Sequence, residues 1–334
     1  MEVAVLLAIA TALVFDLTNG FHDSANSIAA LVATRAARPE HALILAAAGN
    51  FIGPLVVGTA VADTVGGVVT LPASATVTAV GAALTAAIAW NLVTWWFGLP
   101  SSSSHALVGG LVGASLVAAG PSGVHWGGFT DGRPSGVVGI LVGLAISPLL
   151  GAVACALLAT IAWRLMRRAR RRALGPVRRA EWVTAATLAL SHGGNDAQKS
   201  MGVITLLLIA GGHLTEFTVP LWVKLAAATS LTVGTAFGGW RIVRTVGRGV
   251  FRMTPLDGLV SQAGAAGVIL GASLVGAPVS TTHVVAAGVV GTGAQHRARH
   301  VHWKVVTEMG VAWVVTLPMT ALLGAMLFPV WGAI

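Results

Sequence analysis

Two aspartates lie in stretches that are otherwise apolar, and each sits in a nearly repeated motif. Around Asp23 the chain reads Gly20-Phe-His-Asp-Ser-Ala-Asn-Ser27. Around Asp196 it reads Gly193-Gly-Asn-Asp-Ala-Gln-Lys-Ser200, with Gly, Asp and Ser in register at an offset of 173. An aspartate inside a bilayer costs at least ~2.5 kcal/mol, so it faces partners or a cavity. Amides flank both acids: Asn19, Asn26, Asn195 and Gln198. Carboxylate and amide oxygens suit a hard monovalent cation, and a buried carboxylate can equally carry a proton. The plainer role, capping a broken helix, suits Asp and Asn as well and is compatible with either.

A second motif pair is built from hydroxyls. Pro100-Ser-Ser-Ser-Ser-His105 faces Pro278-Val-Ser-Thr-Thr-His283 at an offset of 178, and each run precedes an apolar stretch. That is the pattern of a helix N-terminus, whose free N–H groups and dipole bind anions. Capping explains one hydroxyl per helix, not three or four. Ser102, Ser103, Ser104, Ser280, Thr281 and Thr282 are therefore expected to cradle a tetrahedral anion.

His105 and His283 close these motifs at matched positions and are candidates for proton handling or gating. His22 is a candidate proton carrier; its counterpart in the second half is Asn195. Lys199, three residues after Asp196, could neutralise that acid, contact the anion or snorkel. Asp16, about two helical turns before Asp23, reads as a supporting acid, and Asp63 as a solvated loop residue.

Other chemistries fit less well. A hydrolase needs one nucleophile with one base, whereas this constellation is duplicated. There is no Walker loop. The single cysteine, Cys155, excludes a disulfide framework and a multi-cysteine metal cluster. No cofactor is expected.

The elements that position these residues are membrane helices. Of 334 residues, 55% are hydrophobic and 9% charged, against about a quarter charged in soluble domains. Ten segments approach the ~20 apolar residues of a span: 2–34, 40–61, 75–97, 101–120, 135–162, 182–210, 218–239, 258–276, 278–293 and 305–333. Segments 2–34 and 182–210 carry polar interruptions, 278–293 is short and 101–120 opens on serines. These four are expected to be broken or re-entrant. Met1-Glu2 lacks the basic start of a cleavable signal, so the first segment is expected to remain.

The net charge of +9 need not mean nucleic acid. With the N-terminus outside, the inner loops hold Arg35 and Arg38, the eight arginines of 164–179, then Arg241, Arg244, Arg248 and Arg252, and finally Arg297, Arg299 and Lys304. Cytoplasmic loops carry such an excess. The expectation is N-out and C-out in the cell (inner) membrane, with the 164–179 loop cytoplasmic and the bilayer, not nucleic acid, as partner. Tryptophans near the segment ends agree.

Each half holds five segments, and an odd number inverts the second copy. The expected fold is an all-α polytopic membrane protein of two inverted repeats with broken or re-entrant helices at the midplane. The repeats span 1–163 and 181–334, joined by an Arg-rich linker at 164–180. Inverted repeats with matched interruptions point to a secondary transporter.

On these motifs the chain resembles the inorganic phosphate transporter (Pit) family. The matching stretches are Asn19-Gly-Phe-His-Asp-Ser-Ala-Asn26, Gly194-Asn-Asp-Ala-Gln-Lys-Ser-Met-Gly202 and both proline–Ser/Thr–His runs. The resemblance covers nearly the whole chain. It implies a symporter moving phosphate inward with a cation. Asp23, Asn26, Asn195 and Asp196 would lie in the substrate and cation region, and the hydroxyl runs would hold phosphate. Members differ in coupling ion, sodium or proton, and some bacterial ones carry a divalent metal–phosphate complex. His22-Asp23 departs from the Asn-Asp of sodium-coupled members and resembles the proton-coupled bacterial group. Sodium at Asp23, Asn26, Asn195 and Asp196 stays open, as do a sulfate symporter and a passive anion channel. The glycine-rich faces would also permit a homo-oligomer.

Overall fold

A computed structural model describes residues 1–130, 133–134, 136–168 and 174–334. It is helical apart from a two-residue antiparallel pair at 129–130 and 133–134. The helices are α1 (Glu2–Ala33), α2 (Pro39–Val56), α3 (Ala60–Gly66), α4 (Ala73–Phe97), α5 (Ser103–Ala119), α6 (Gly136–Met166), α7 (Leu174–Ala210), α8 (Leu221–Phe237), α9 (Trp240–Arg244), α10 (Pro255–Leu274), α11 (Thr281–Arg297) and α12 (Trp303–Gly332). Each of the ten expected segments coincides with a helix. α3 and α9 are short additions after α2 and α8.

Five helices among the described residues are long and apolar enough to cross a membrane, or six when the bent pair α2–α3 is one span. α2 and α3 meet at 79°. The solvation pattern is inverted relative to a soluble protein. Leu149, Leu157, Leu165, Val314 and Met326 point outward, while Asp16, Asn19, Asp23, Asn50, Asp196 and Lys199 are buried. This is a multi-pass membrane protein with a polar interior.

The packing repeats under exchange of the halves. α5 lies on α12 and α11 on α6; α1 packs on α8 and α7 on α2. Glycines let these backbones touch. A Cβ on Gly113 of α5 would meet the Ala321 carbonyl of α12, and one on Gly291 of α11 would meet the Ala152 carbonyl of α6. The two glycines are equivalent at the 178 offset.

Two of the four broken or re-entrant segments fall where expected, 101–120 and 278–293 becoming the short helices α5 and α11, and the other two do not. α1 and α7 run unbroken through Asp23 and Asp196. Polar residues do not by themselves break a helix, and α1 contains no proline. Spaced three and four residues apart, they line up as stripes: Asp16, Asn19, Asp23 and Asn26 on α1, and His192, Asp196 and Lys199 on α7. The discontinuities fall at the α2–α3 bend, at the α8–α9 junction and before the 17-residue helices α5 and α11. Within the stretch read as the linker, 164–180, α6 continues to Met166 and α7 starts at Leu174. Arg170, Arg171 and Arg172 lie outside the described residues.

Candidate functional site

The stripes of α1 and α7 face one another, and the N-termini of α5 and α11 close the space between them. Capping uses one hydroxyl in each run. Ser102 Oγ accepts from the His105 amide and Ser280 Oγ from the His283 amide, both at 3.2 Å. The remaining hydroxyls are free to turn inward. Thr281 donates to both carboxylate oxygens of Asp196, at 3.3 and 3.2 Å. Thr282 donates to Asp23 Oδ2 at 3.0 Å and accepts from Asn26 Nδ2 at 3.1 Å. One helix end thus holds both aspartates.

The other end is arranged differently. Ser104 donates to the Val279 carbonyl at 3.4 Å, across the seam between the two helix starts. Ser101 lies 2.8 Å from the Thr94 hydroxyl and 3.4 Å from His22 Nε2. Ser103 is buried beside them. The His105 and His283 rings stand 4.7 Å apart, and His283 stacks on Trp313 at 4.1 Å. His105 Nδ1 and His283 Nε2 are buried without a hydrogen-bond partner.

Around Asp23, His22 Nδ1 lies 2.5 Å from Oδ1. Around Asp196, Lys199 Nζ donates to Oδ1 at 2.5 Å and Asn19 Nδ2 to Oδ2 at 3.3 Å. Lys199 is 1% exposed, so it neutralises the acid and does not snorkel. Asp16 is buried and accepts from Ser200 at 2.6 Å. Asp63 is exposed, as expected, but stands in helix α3 and not in a loop.

His192, which motif reading passed over, stands at the centre. Its Nε2 is 3.2 Å from Asp196 Oδ2 and 3.9 Å from Asp23 Oδ2, so it bridges the two halves. Its Nδ1 faces Asn50 Oδ1 at 3.2 Å. The signal was available, because His192 is the counterpart of Asn19 at the 173 offset, just as Asn195 is the counterpart of His22. The halves exchange Asn and His at two positions.

Two expected residues are set apart. Gln198 spends both polar ends on backbone, accepting from Val61 N at 2.8 Å and donating to the Gly194 carbonyl at 2.6 Å, which fixes α3 against α7. Asn195 donates to Ser273 of α10 at 2.8 Å. The carbonyl oxygens of Asn19, Asn26 and Asn195 are buried with no hydrogen-bond partner. Such acceptors are costly to leave unmet, and a cation would satisfy them. Asp23, His192 and Asp196 each offer a ligand atom, all within 4.8 Å of one another. The site therefore joins two acids, a bridging base and anion-type helix ends in one buried cluster.

Comparison with known proteins agrees. The model of the phosphate transporter family matches twice, over residues 19–176 and 166–324, consistent with the internal repeat. A probable low-affinity inorganic phosphate transporter of Rhizobium meliloti is 43% identical over 96% of this chain and 94% of its own length. One from Bacillus subtilis is 40% identical over 97% and 96%. A solved structure titled "The sodium-dependent phosphate transporter" superposes with a TM-score of 0.87 over 99% of this chain and all of that one, at 22% identity, which speaks for a shared fold. This chain belongs to the phosphate transporter family, and it is a transporter of phosphate, not an enzyme.

Proposed function

We propose that the protein is a symporter that imports phosphate with a proton by alternating access, and that the carboxylates and hydroxyls of one site perform the coupling. The observation that carries this reading is the direct bonding of Thr281 and Thr282 to Asp196 and Asp23. While the acids are charged, they hold the hydroxyl donors at the α11 end. A proton on either acid removes the need for those donors, which then turn to phosphate together with Ser103 and Ser104 and the helix dipoles. Phosphate and coupling ion thus require one another. In the empty, charged site the acids hold the hydroxyl donors, and in the doubly loaded site phosphate holds them.

His192 supports proton carriage. A protonated imidazole between Asp23 and Asp196 pairs with both, whereas nitrogen is a poor ligand for sodium, which prefers oxygen. His22, held against Asp23, is the second proton-carrying candidate. His105 and His283 sit at the seam where α5 and α11 part, the place for a gate. The second reading, sodium coupling, is favoured by the unpaired amide oxygens of Asn19 and Asn26 beside the acids. A divalent ion arriving with phosphate would fall to Asp23, His192 and Asp196. Gln198 positions α3 in either case.

The basic residues support N-out, C-out placement in the cell membrane, with the α6–α7 connection cytoplasmic. The repeats then run to 163 and from 181. The test is labelled phosphate uptake into proteoliposomes, with sulfate as competitor. Uptake is expected to resist sulfate and to be lost in Asp23→Asn and Asp196→Asn. Unchanged uptake in both variants would overturn the roles assigned, and equal competition by sulfate the anion.

A further inference from the structure

Away from the site, a cavity of about 840 Å³ opens where α1 ends. Its walls carry Arg35 from the first half and Arg248, Arg252, His300 and His302 from the second, with no acidic residue lining it among the described residues. The placement is fixed by the fold. Thr34 anchors the end of α1 by donating to the buried Glu181 carboxylate of α7 at 2.6 Å. The next residue, Arg35, takes a left-handed backbone with φ 58°, which reverses the chain there. On the opposite wall, His302 fixes the segment after α9 through the Gly249 carbonyl, 2.7 Å from Nδ1, and the Val250 carbonyl, 2.9 Å from its amide.

A positive excess on one membrane side needs arginines near the surface but does not need them to converge. Here three guanidinium groups from two halves of the chain surround one hollow. Guanidinium groups recognise phosphate through paired, charge-assisted hydrogen bonds. The volume exceeds that of a single orthophosphate and suits an anion with several phosphoryl groups, or a phosphorylated headgroup.

We infer that this basic cavity binds a multiply charged, phosphate-bearing anion and that the bound anion ties the end of α1 to the 248–252 and 300–302 segments. Because the walls belong to different repeats, occupancy resists their relative motion and slows transport. This site is separate from the Asp23–Asp196 cluster and its binding does not depend on the coupling ion; the slowing rests on the alternating-access reading.

The probe is inorganic tripolyphosphate, titrated against the purified transporter in neutral-lipid nanodiscs. The comparison protein is the double variant Arg35→Ala/Arg252→Ala. Wild type is expected to bind in a salt-sensitive way, and the variant about tenfold or more weaker, the effect of losing one or more charge-assisted contacts. Repeating the titration in nanodiscs of anionic phospholipid separates the sources. Loss of tripolyphosphate binding there, with retention of anionic lipid by wild type but not by the variant in native mass spectrometry, assigns the cavity to a headgroup. Retained binding assigns it to a soluble anion. Equal binding by wild type and variant in both discs, with both proteins folded by size exclusion, overturns the site. Tripolyphosphate trapped inside proteoliposomes is then expected to slow wild-type uptake and to spare the variant. Equal slowing of both would overturn the bridging role.

Discussion

Asp196 and Lys199 allow structure and transport to be separated. Lys199 is buried, and Asp196 is the only carboxylate within 4 Å of its ammonium among the described residues. Asp196→Asn strands that charge, and breaking a buried pair by removing one partner costs about 3–5 kcal/mol. At roughly 2 °C per kcal/mol for a chain of this size, the melting temperature falls by roughly 6–10 °C. Asp196→Asn/Lys199→Met removes the stranded charge, so stability is expected to return to within about 2 kcal/mol of wild type. Transport is expected not to return. Asp196 also accepts from Thr281 and Asn19 and faces His192. Losing two charge-assisted bonds there costs at least about 3 kcal/mol, more than about a hundredfold in uptake efficiency. The assays are tryptophan-fluorescence melting in detergent and initial phosphate uptake in proteoliposomes. If the double variant regains uptake along with stability, Asp196 serves only to neutralise Lys199, and the coupling role assigned to it is refuted.

Other outcomes follow from the same geometry. Thr282→Val removes two buried hydrogen bonds and Ser104→Ala one long bond to a carbonyl, so the ligand-free melting temperature is expected to drop by roughly 4–8 °C for Thr282→Val and by roughly 2 °C or less for Ser104→Ala; equal drops would refute the unequal ends. His192→Asn, which makes the second motif carry Asn where the first carries Asn19, is expected to slow proton-driven uptake more than tenfold while leaving expression intact, since one charge-assisted contact is lost. Gly291→Val drives a side chain into the Ala152 carbonyl and is expected to destabilise by about 3 kcal/mol or more. Gly271→Ala, on an open helix face, is expected to stabilise by about 0.5–1 kcal/mol.

The sequence carried ten of the described helices because a span is long and apolar, a signal that survives without any tertiary information. It carried the two aspartates because charge is scarce in such a chain. Continuity of α1 and α7 was harder to read: Asn19, His22 and Asp23 look like an interruption until helix period places them on one buried face. His192 was missed because comparison of the motifs began at Gly193, one residue beyond it. The asymmetry of the two hydroxyl runs was not legible at all. Ser104 and Thr282 are equivalent by offset, and only the packing of α11 against both α1 and α7 decides that Thr281 and Thr282 reach the acids while Ser104 meets a carbonyl.

The central claim is that phosphate movement is tied to a coupling ion at this site. Its most direct measurement is phosphate accumulation in proteoliposomes with the pH and sodium gradients imposed independently. The account predicts uphill accumulation under an inward proton gradient in sodium-free buffer, abolished by a protonophore. Equilibration without accumulation under either gradient would contradict symport, and accumulation driven by sodium alone would contradict proton coupling through His192 and the two aspartates.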